Sequence, residues 1–190
     1  KQELVVSIQG SLLAFDPSSG ERLWQCPGVP DYVCPSVVAS GDIVYCIGGR
    51  RATAIAVKAG GRGDVEPLWT QTAGSNVSSP VIDGDFLYWV SDRGIAVCLN
   101  RNTGDIVYQE RLRGRGVEAY ASALAADGKI YNVTRSSGTF ILAAKPKFEQ
   151  LANNLLDPDT SICNATPAVA DGQLLLRSNQ ALYCIGQPGR

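Results

Sequence analysis

The sequence predicts an all-β protein, a β-propeller of four-stranded antiparallel blades, and three observations carry that expectation. First, a motif recurs along the chain: Cys34-Pro35-Ser36-Val37 onward to Tyr45, Ser79-Pro80-Val81-Ile82 to Tyr88, Ser122-Ala123-Leu124-Ala125 to Tyr131, and Thr166-Pro167-Ala168-Val169 to Leu175. Its turn glycines, Gly41, Gly84, Gly128 and Gly172, lie 43, 44 and 44 residues apart, a period typical of propeller blades. Second, each copy places short apolar runs on either side of Ser-Gly or Asp-Gly, dipeptides that accept positive φ in a tight hairpin. Third, a further apolar run and polar turn follow, as in Leu12-Leu13-Ala14-Phe15-Asp16-Pro17-Ser18-Ser19-Gly20 and Ala96-Val97-Cys98-Leu99-Asn100-Arg101-Asn102-Thr103-Gly104. The next run carries a large aromatic residue: Trp24, Trp69 or Tyr108. Four short strands per period, here named A to D, make one blade.

In chain order the expected units span about 1–28, 33–72, 78–112, 121–157 and 165–186. The first reads as strands B, C and D without an A. The next three read as whole blades. The last reads as A, B and C without a D. Within the second, Gly60-Gly61-Arg62-Gly63-Asp64 reads as a long C-to-D connection; no Gly-Lys-Ser/Thr and no helix follow it, which argues against a phosphate loop. In the fourth, Lys145 to Asn154 replaces the usual turn and is expected still to make strand D. With about four to five blade units and ragged ends, the chain is expected to be an arc of a larger propeller of about seven or eight blades, a compact closed ring being the alternative. An open arc exposes apolar sheet faces, so self-association is expected. The chain has no methionine, and Lys1 runs directly into a β-like segment. The chain is therefore expected to start within a longer protein, with any export signal upstream.

The pattern Ser-Pro-Val-x-Asp-Gly-x-x-x-Tyr at Ser79, followed in other units by Ala-Phe-Asp-Pro-x-x-Gly-x-x-Leu-Trp from Ala14, resembles the repeat of the PQQ-like (quinoprotein-type) β-propeller family over nearly the whole chain. That family includes quinoprotein dehydrogenases and the lipoprotein propeller of the outer-membrane barrel-assembly machinery. The resemblance implies a periplasmic or extracellular location. It also implies either a protein-binding or scaffold module without a cofactor or, alternatively, part of a dehydrogenase holding PQQ over the central channel beside a calcium ion. Oxygen ligands for such a calcium could come from Glu118, Asp31 and Asn164. No two cysteines are adjacent, so the vicinal disulfide of quinoprotein alcohol dehydrogenases cannot form here.

Composition narrows the chemistry. The 190 residues contain no histidine, which excludes a Ser-His-Asp relay, a Cys-His pair and imidazole metal ligands. No catalytic or metal constellation emerges from the remaining residues. The net charge is -1 and 18% of residues are charged, so there is no basic field to attract nucleic acid. No apolar run is long enough for a membrane-spanning helix.

Of six cysteines, Cys98 and Cys184 occupy the strand C position of Ala14, and together with Cys46 they read as small packing residues. Cys26, Cys34 and Cys163 are the disulfide or metal candidates, with a Cys26 to Cys34 bridge the specific possibility, requiring Cα atoms within about 7 Å. Trp24 and Trp69 read as blade-to-blade packing. Tyr88 and Trp89 alternate, so one of the pair is expected to face a channel or a loop.

Propeller function is expected on the face formed by the D-to-A and B-to-C loops, because loops on a rigid scaffold can vary. The expected partner-binding residues there are Asp31, Tyr32, Glu118, Tyr120 and Asn164 from the first set, and Arg51, Asp92, Arg93, Arg135 and Arg177 from the second. If the four arginines share a rim, their guanidinium groups suit a carboxylate or an acidic segment, the alternative being solvated loop residues. The favoured partner is a protein or peptide; a glycan against Tyr32, Tyr120 or Trp89 is a further option.

Overall fold

The computed structural model describes residues 2–186; Lys1, where the first expected unit begins, and residues 187–190 lie outside the described residues. Among the described residues there are strands and turns but no helix, and no helix is long and apolar enough to cross a membrane. Five antiparallel sheets follow in chain order. The first comprises β1 (Leu4–Ile8), β2 (Ser11–Phe15) and β3 (Arg22–Pro27); the second, β4 (Val38–Ser40), β5 (Ile43–Gly48) and β6 (Thr53–Lys58). A two-residue β7 (Gly63–Asp64) then reaches back to pair in parallel with β3, so the glycine-rich connection extends the first sheet before β8 (Trp69–Gln71) completes the second. The third sheet holds β9 (Val81–Asp83), β10 (Phe86–Val90), β11 (Ile95–Asn100) and β12 (Ile106–Arg111). The fourth holds β13 (Leu124–Ala126), β14 (Lys129–Val133), β15 (Thr139–Ala143) and β16 (Gln150–Asn154), and the last β17 (Ala168–Ala170), β18 (Gln173–Arg177) and β19 (Leu182–Ile185). Strands within each sheet pair in sequence order, and the third strand meets the fourth through a bulge in the third and fourth sheets.

Alternation along each strand builds the stack. On β5, Val44 and Cys46 face Leu12, Ala14 and Trp24 of the first sheet, while Tyr45 and Ile47 face Leu87 and Trp89 of the third. On β10, Leu87 and Trp89 turn to the second sheet, and Tyr88 and Val90 turn to Ile130, Phe140 and Leu142 of the fourth. Strands with period-2 alternation but both faces buried read as nearly continuous apolar runs, which is why these segments look alike in the sequence. Tyr88 and Trp89 are thus both buried, at 2% and 1% exposure; neither faces a channel, because each side of the sheet is covered by a neighbouring sheet.

The inner strands are joined by a hydroxyl belt. The Ser36 N–H donates to Ser79 Oγ (2.9 Å), the Ser79 N–H to Ser122 Oγ (3.0 Å), and the Ser122 N–H to Thr166 Oγ1 (3.1 Å). These are the recurring Ser/Thr positions at the start of strand A, and the belt sets each blade at the same offset from the last.

At the outer edge, the strand D aromatic docks on the following sheet: Trp24 packs with Val44 and Val57, the Trp69 Nε1–H donates to the Arg101 carbonyl (3.0 Å), and Tyr108 meets Phe148 edge-on at 5.6 Å. The Trp24 Nε1–H turns back to its own unit and donates to Glu3 Oε2 (2.8 Å).

The expected Cys26 to Cys34 bridge is not present. Both thiols are free: Cys26 points into the apolar core between the first two sheets, while Cys34 is exposed in the loop beyond, so the two side chains lie in different environments. Cys46 and Cys98 are buried as expected, but Cys184, at the same repeat position as Cys98, is exposed because no sheet among the described residues covers that side of β19. Burial, with the Glu66 carboxylate adding, pushes the Cys26 thiol up to about 11, and burial does the same for Cys98. Both thiols pack in the apolar core, where burial disfavours the thiolate.

Candidate functional site

The turns after β10, β14 and β18 and the connections after β8, β12 and β16 meet at one end of the stack and are laced together by hydrogen bonds. The Asn76 N–H donates to Asp92 Oδ1 (3.4 Å), the Leu112 N–H to the Gly94 carbonyl (3.0 Å), the Arg135 N–H to the Glu118 carbonyl (2.8 Å), the Cys163 N–H to the Arg135 carbonyl (2.9 Å), and the Asn179 N–H to the Ile162 carbonyl (2.9 Å). A loop whose backbone is satisfied by its neighbours presents its side chains at little further entropy cost.

Arg135 is the centre of this rim. Its guanidinium lies 4.5 Å from the centre of the Tyr120 ring, its Nη1 donates to Glu118 Oε2 (3.2 Å), and its Nε donates to Asn164 Oδ1 (3.2 Å). The side chain is 29% exposed, so the planar fork is held in place while one face still meets solvent. Cation–π stacking and a charge-assisted hydrogen bond together fix the ring of Tyr120, which remains 39% exposed.

Beside it opens a cleft of about 380 Å³ between the third blade and the connection that leads from it to the fourth. Asp92, Arg93 and Arg111 form one wall, and Val117, Glu118 and Tyr120 the other. The connection that makes the second wall is pinned by Leu112, which is 1% exposed, by the Arg113 N–H donating to Gln150 Oε1 (2.9 Å), and by Ser137 Oγ donating to the Arg115 carbonyl (3.0 Å).

Six of the sequence-derived residues therefore converge: Asp92, Arg93, Glu118, Tyr120, Arg135 and Asn164. The other four do not join them. Asp31 packs half-buried against Gly49 at the gap between the first two blades, with its Oδ1 unpartnered; Tyr32 beside it is 54% exposed. Arg51 is exposed on the turn after β5, and Arg177 is the last residue of β18, paired with Leu182. Of the four arginines, Arg135 centres the rim and Arg93 lines the cleft beside it, and each of the four sits at a different offset from its turn glycine.

Arg111, Arg113 and Arg115 were missed by a reading that followed the B-to-C turns. The available signal was their alternation in Arg111-Leu-Arg-Gly-Arg-Gly, within an otherwise sparsely charged chain.

Glu118, Asp31 and Asn164 do not gather as calcium ligands. Glu118 and Asn164 are both engaged by the Arg135 cation and Asp31 belongs to a different gap; among the described residues no three Cys, Asp or Glu side chains group as a metal site. Trp89 is buried and unavailable to a glycan.

The fold and sequence place the chain among known proteins. BamB from Moraxella catarrhalis superposes with a TM-score of 0.73 at 14% identity, covering 97% of this chain and 54% of that one. The C-terminal WD40 domain of Sif2 superposes at 0.74 with 11% identity, covering 98% and 55%. The computationally designed Ika4 protein superposes at 0.68 with 13% identity, covering 88% and 99%. The chain thus spans about half the length of the first two, and at these identities the likeness is one of fold. None of the curated proteins matches the sequence significantly. At the level of sequence, residues 1–110 match the family described as outer membrane protein assembly factor BamB. With its repeat, its stacked four-stranded sheets and that match over more than half its length, the chain belongs to the BamB family of β-propeller proteins.

Proposed function

We propose that this chain is a non-catalytic, extracytoplasmic propeller segment that binds a protein or peptide through its laced loop rim, without a quinone or metal. The observation that carries this reading is the Arg135 assembly: a guanidinium locked by Glu118 and Asn164 holds the exposed Tyr120 ring at the mouth of a cleft. Rigid aromatic and arginine side chains on a solvent-facing rim are the residue types that anchor protein interfaces. Family membership supports a periplasmic or extracellular setting and a role in assembly at the outer membrane. A PQQ and calcium reading is not favoured, since two of the oxygen donors it needs, Glu118 and Asn164, already hold an arginine and the third, Asp31, lies in a different gap.

The test is photo-cross-linking in cells of the source organism, with a photoreactive residue at Tyr120 and, as control, at Asp42 on the A-to-B turn of the second blade. The expected result is a discrete protein adduct from position 120 and none from position 42. Equal adducts at both positions, or none at either, would overturn the proposal.

A further inference from the structure

We infer that the cleft between the third blade and the connection after β12 is a docking site for an acidic peptide segment, with carboxylates received by Arg93 and Arg111 and by Arg113 and Arg115 just outside it. This rests on the protein-binding reading above and names the chemistry of the partner. Charge is the first argument. The whole chain carries -1, yet Arg93 and Arg111 line this one opening and Arg113, Arg115 and Arg135 lie on the segments beside it. Of these five, Arg135 has an ion-pair partner among the described residues; Arg93, Arg111, Arg113 and Arg115 have none there, and all four are exposed.

Geometry is the second. The Arg111 Nη1 donates to the Arg93 carbonyl (3.0 Å), which draws its guanidinium across the cleft wall and leaves its remaining donors to solvent. Each such fork can take a carboxylate in two parallel hydrogen bonds. Arg111, Arg113 and Arg115 follow one another along a connection whose backbone is fixed at Leu112, Arg113 and Arg115, so the points from which their side chains extend are set before a ligand arrives.

The third argument separates a peptide from other polyanions. Asp92 and Glu118 stand within the cleft lining, and their carboxylates repel a continuous run of phosphates. A peptide can present acidic groups to the arginines and apolar or neutral ones to Val117 and Tyr120. Complementarity of mixed sign confers specificity of this kind.

The experiment is fluorescence anisotropy with a fluorescein-labelled peptide of alternating Glu and Ala. Its Gln and Ala counterpart, phosphatidylglycerol vesicles and a short single-stranded DNA serve as competing probes. The Glu peptide is expected to bind and to weaken as salt rises, with the double variant Arg93→Glu/Arg111→Glu losing about ten-fold or more in affinity while Arg177→Glu stays within about two-fold of wild type. All the substituted residues are exposed, so circular dichroism should give unchanged melting. Equal binding of the Gln peptide, an equal loss in Arg177→Glu, or tighter binding of vesicles or DNA would overturn the inference. Repeating the Tyr120 cross-link in the double variant separates the two readings: a surviving adduct without peptide binding keeps the protein-binding rim and removes the acidic recognition.

Discussion

Gly104 shows how one small residue fastens two blades. It follows β11 in a left-handed conformation, φ +81°, and a Cβ there would sit 2.8 Å from the ring of Trp69, whose indole N–H already reaches the nearby Arg101 carbonyl. Gly20 holds the same place in the first blade, φ +74°, with nothing within 4 Å. Gly20→Ala should therefore show only the left-handed backbone penalty, about 1–2 kcal/mol, whereas Gly104→Ala should add displacement of Trp69 and lose about 1–3 kcal/mol more. Urea unfolding followed by tryptophan fluorescence measures both, and equal losses would contradict the docking role. The sequence shows both glycines closing a turn, but only the structure shows which one an aromatic ring rests on. The same limit applies to the cysteines: Cys98 and Cys184 are interchangeable in the repeat and opposite in burial, because exposure depends on whether another sheet stacks against them.

The last sheet, β17 to β19, is the least well held. Among the described residues its buried apolar contact with the fourth sheet is a small cluster of Ala121, Val133 and Leu176, with Leu156, Leu174 and Tyr183 partly buried against it, and a cleft of about 850 Å³ opens between the two sheets. A polar clasp compensates. Asp159, in the connection after β16, accepts from Ser178 Oγ (2.6 Å), Tyr183 Oη (2.7 Å) and the Ser161 N–H (2.8 Å). These hydrogen bonds, led by that from Ser178, hold its carboxyl well below the usual carboxylate range. A carboxyl with a depressed folded pKa takes up protons in the unfolded chain first, so its stabilisation is present above about pH 4 and fades as the pH falls further. Melting temperature should drop more steeply from about pH 5 to about pH 3 in the wild type than in Asp159→Asn, which has no charge to lose. Parallel profiles would show that the clasp is not electrostatic. Nothing in the period marked Asp159, because the bonds it makes join three segments that lie apart in the chain.

Over the whole molecule, the two outer sheets leave apolar residues uncovered: Leu4 and Ile8 on one side, Val169, Leu182 and Ile185 on the other, with Leu182 67% exposed. Stacked blades bury such faces against a neighbour, and an apolar surface left in water favours association. The chain is therefore expected to self-associate with rising concentration in size-exclusion chromatography with light scattering. A single monomeric mass across the concentration range would show that these faces are tolerated in water. The hydroxyl belt gives the same open arrangement a register: Ser36, Ser79, Ser122 and Thr166 step from blade to blade along the inner strands.

Period, hairpin glycines and alternating apolar runs were enough to specify stacked four-stranded sheets, because each of these is a local property repeated at a fixed spacing. They also placed Asp92, Arg93, Glu118, Tyr120, Arg135 and Asn164 on one face. The folded arrangement alone decided which of the rim residues meet: Arg135 engages partners 15, 17 and 29 residues away in sequence, and Arg51 and Arg177 fall outside, each turn carrying its arginine at a different offset. It also decided which thiols are buried. Side-chain encounters between blades depend on the rotation from one sheet to the next, a quantity no single repeat encodes.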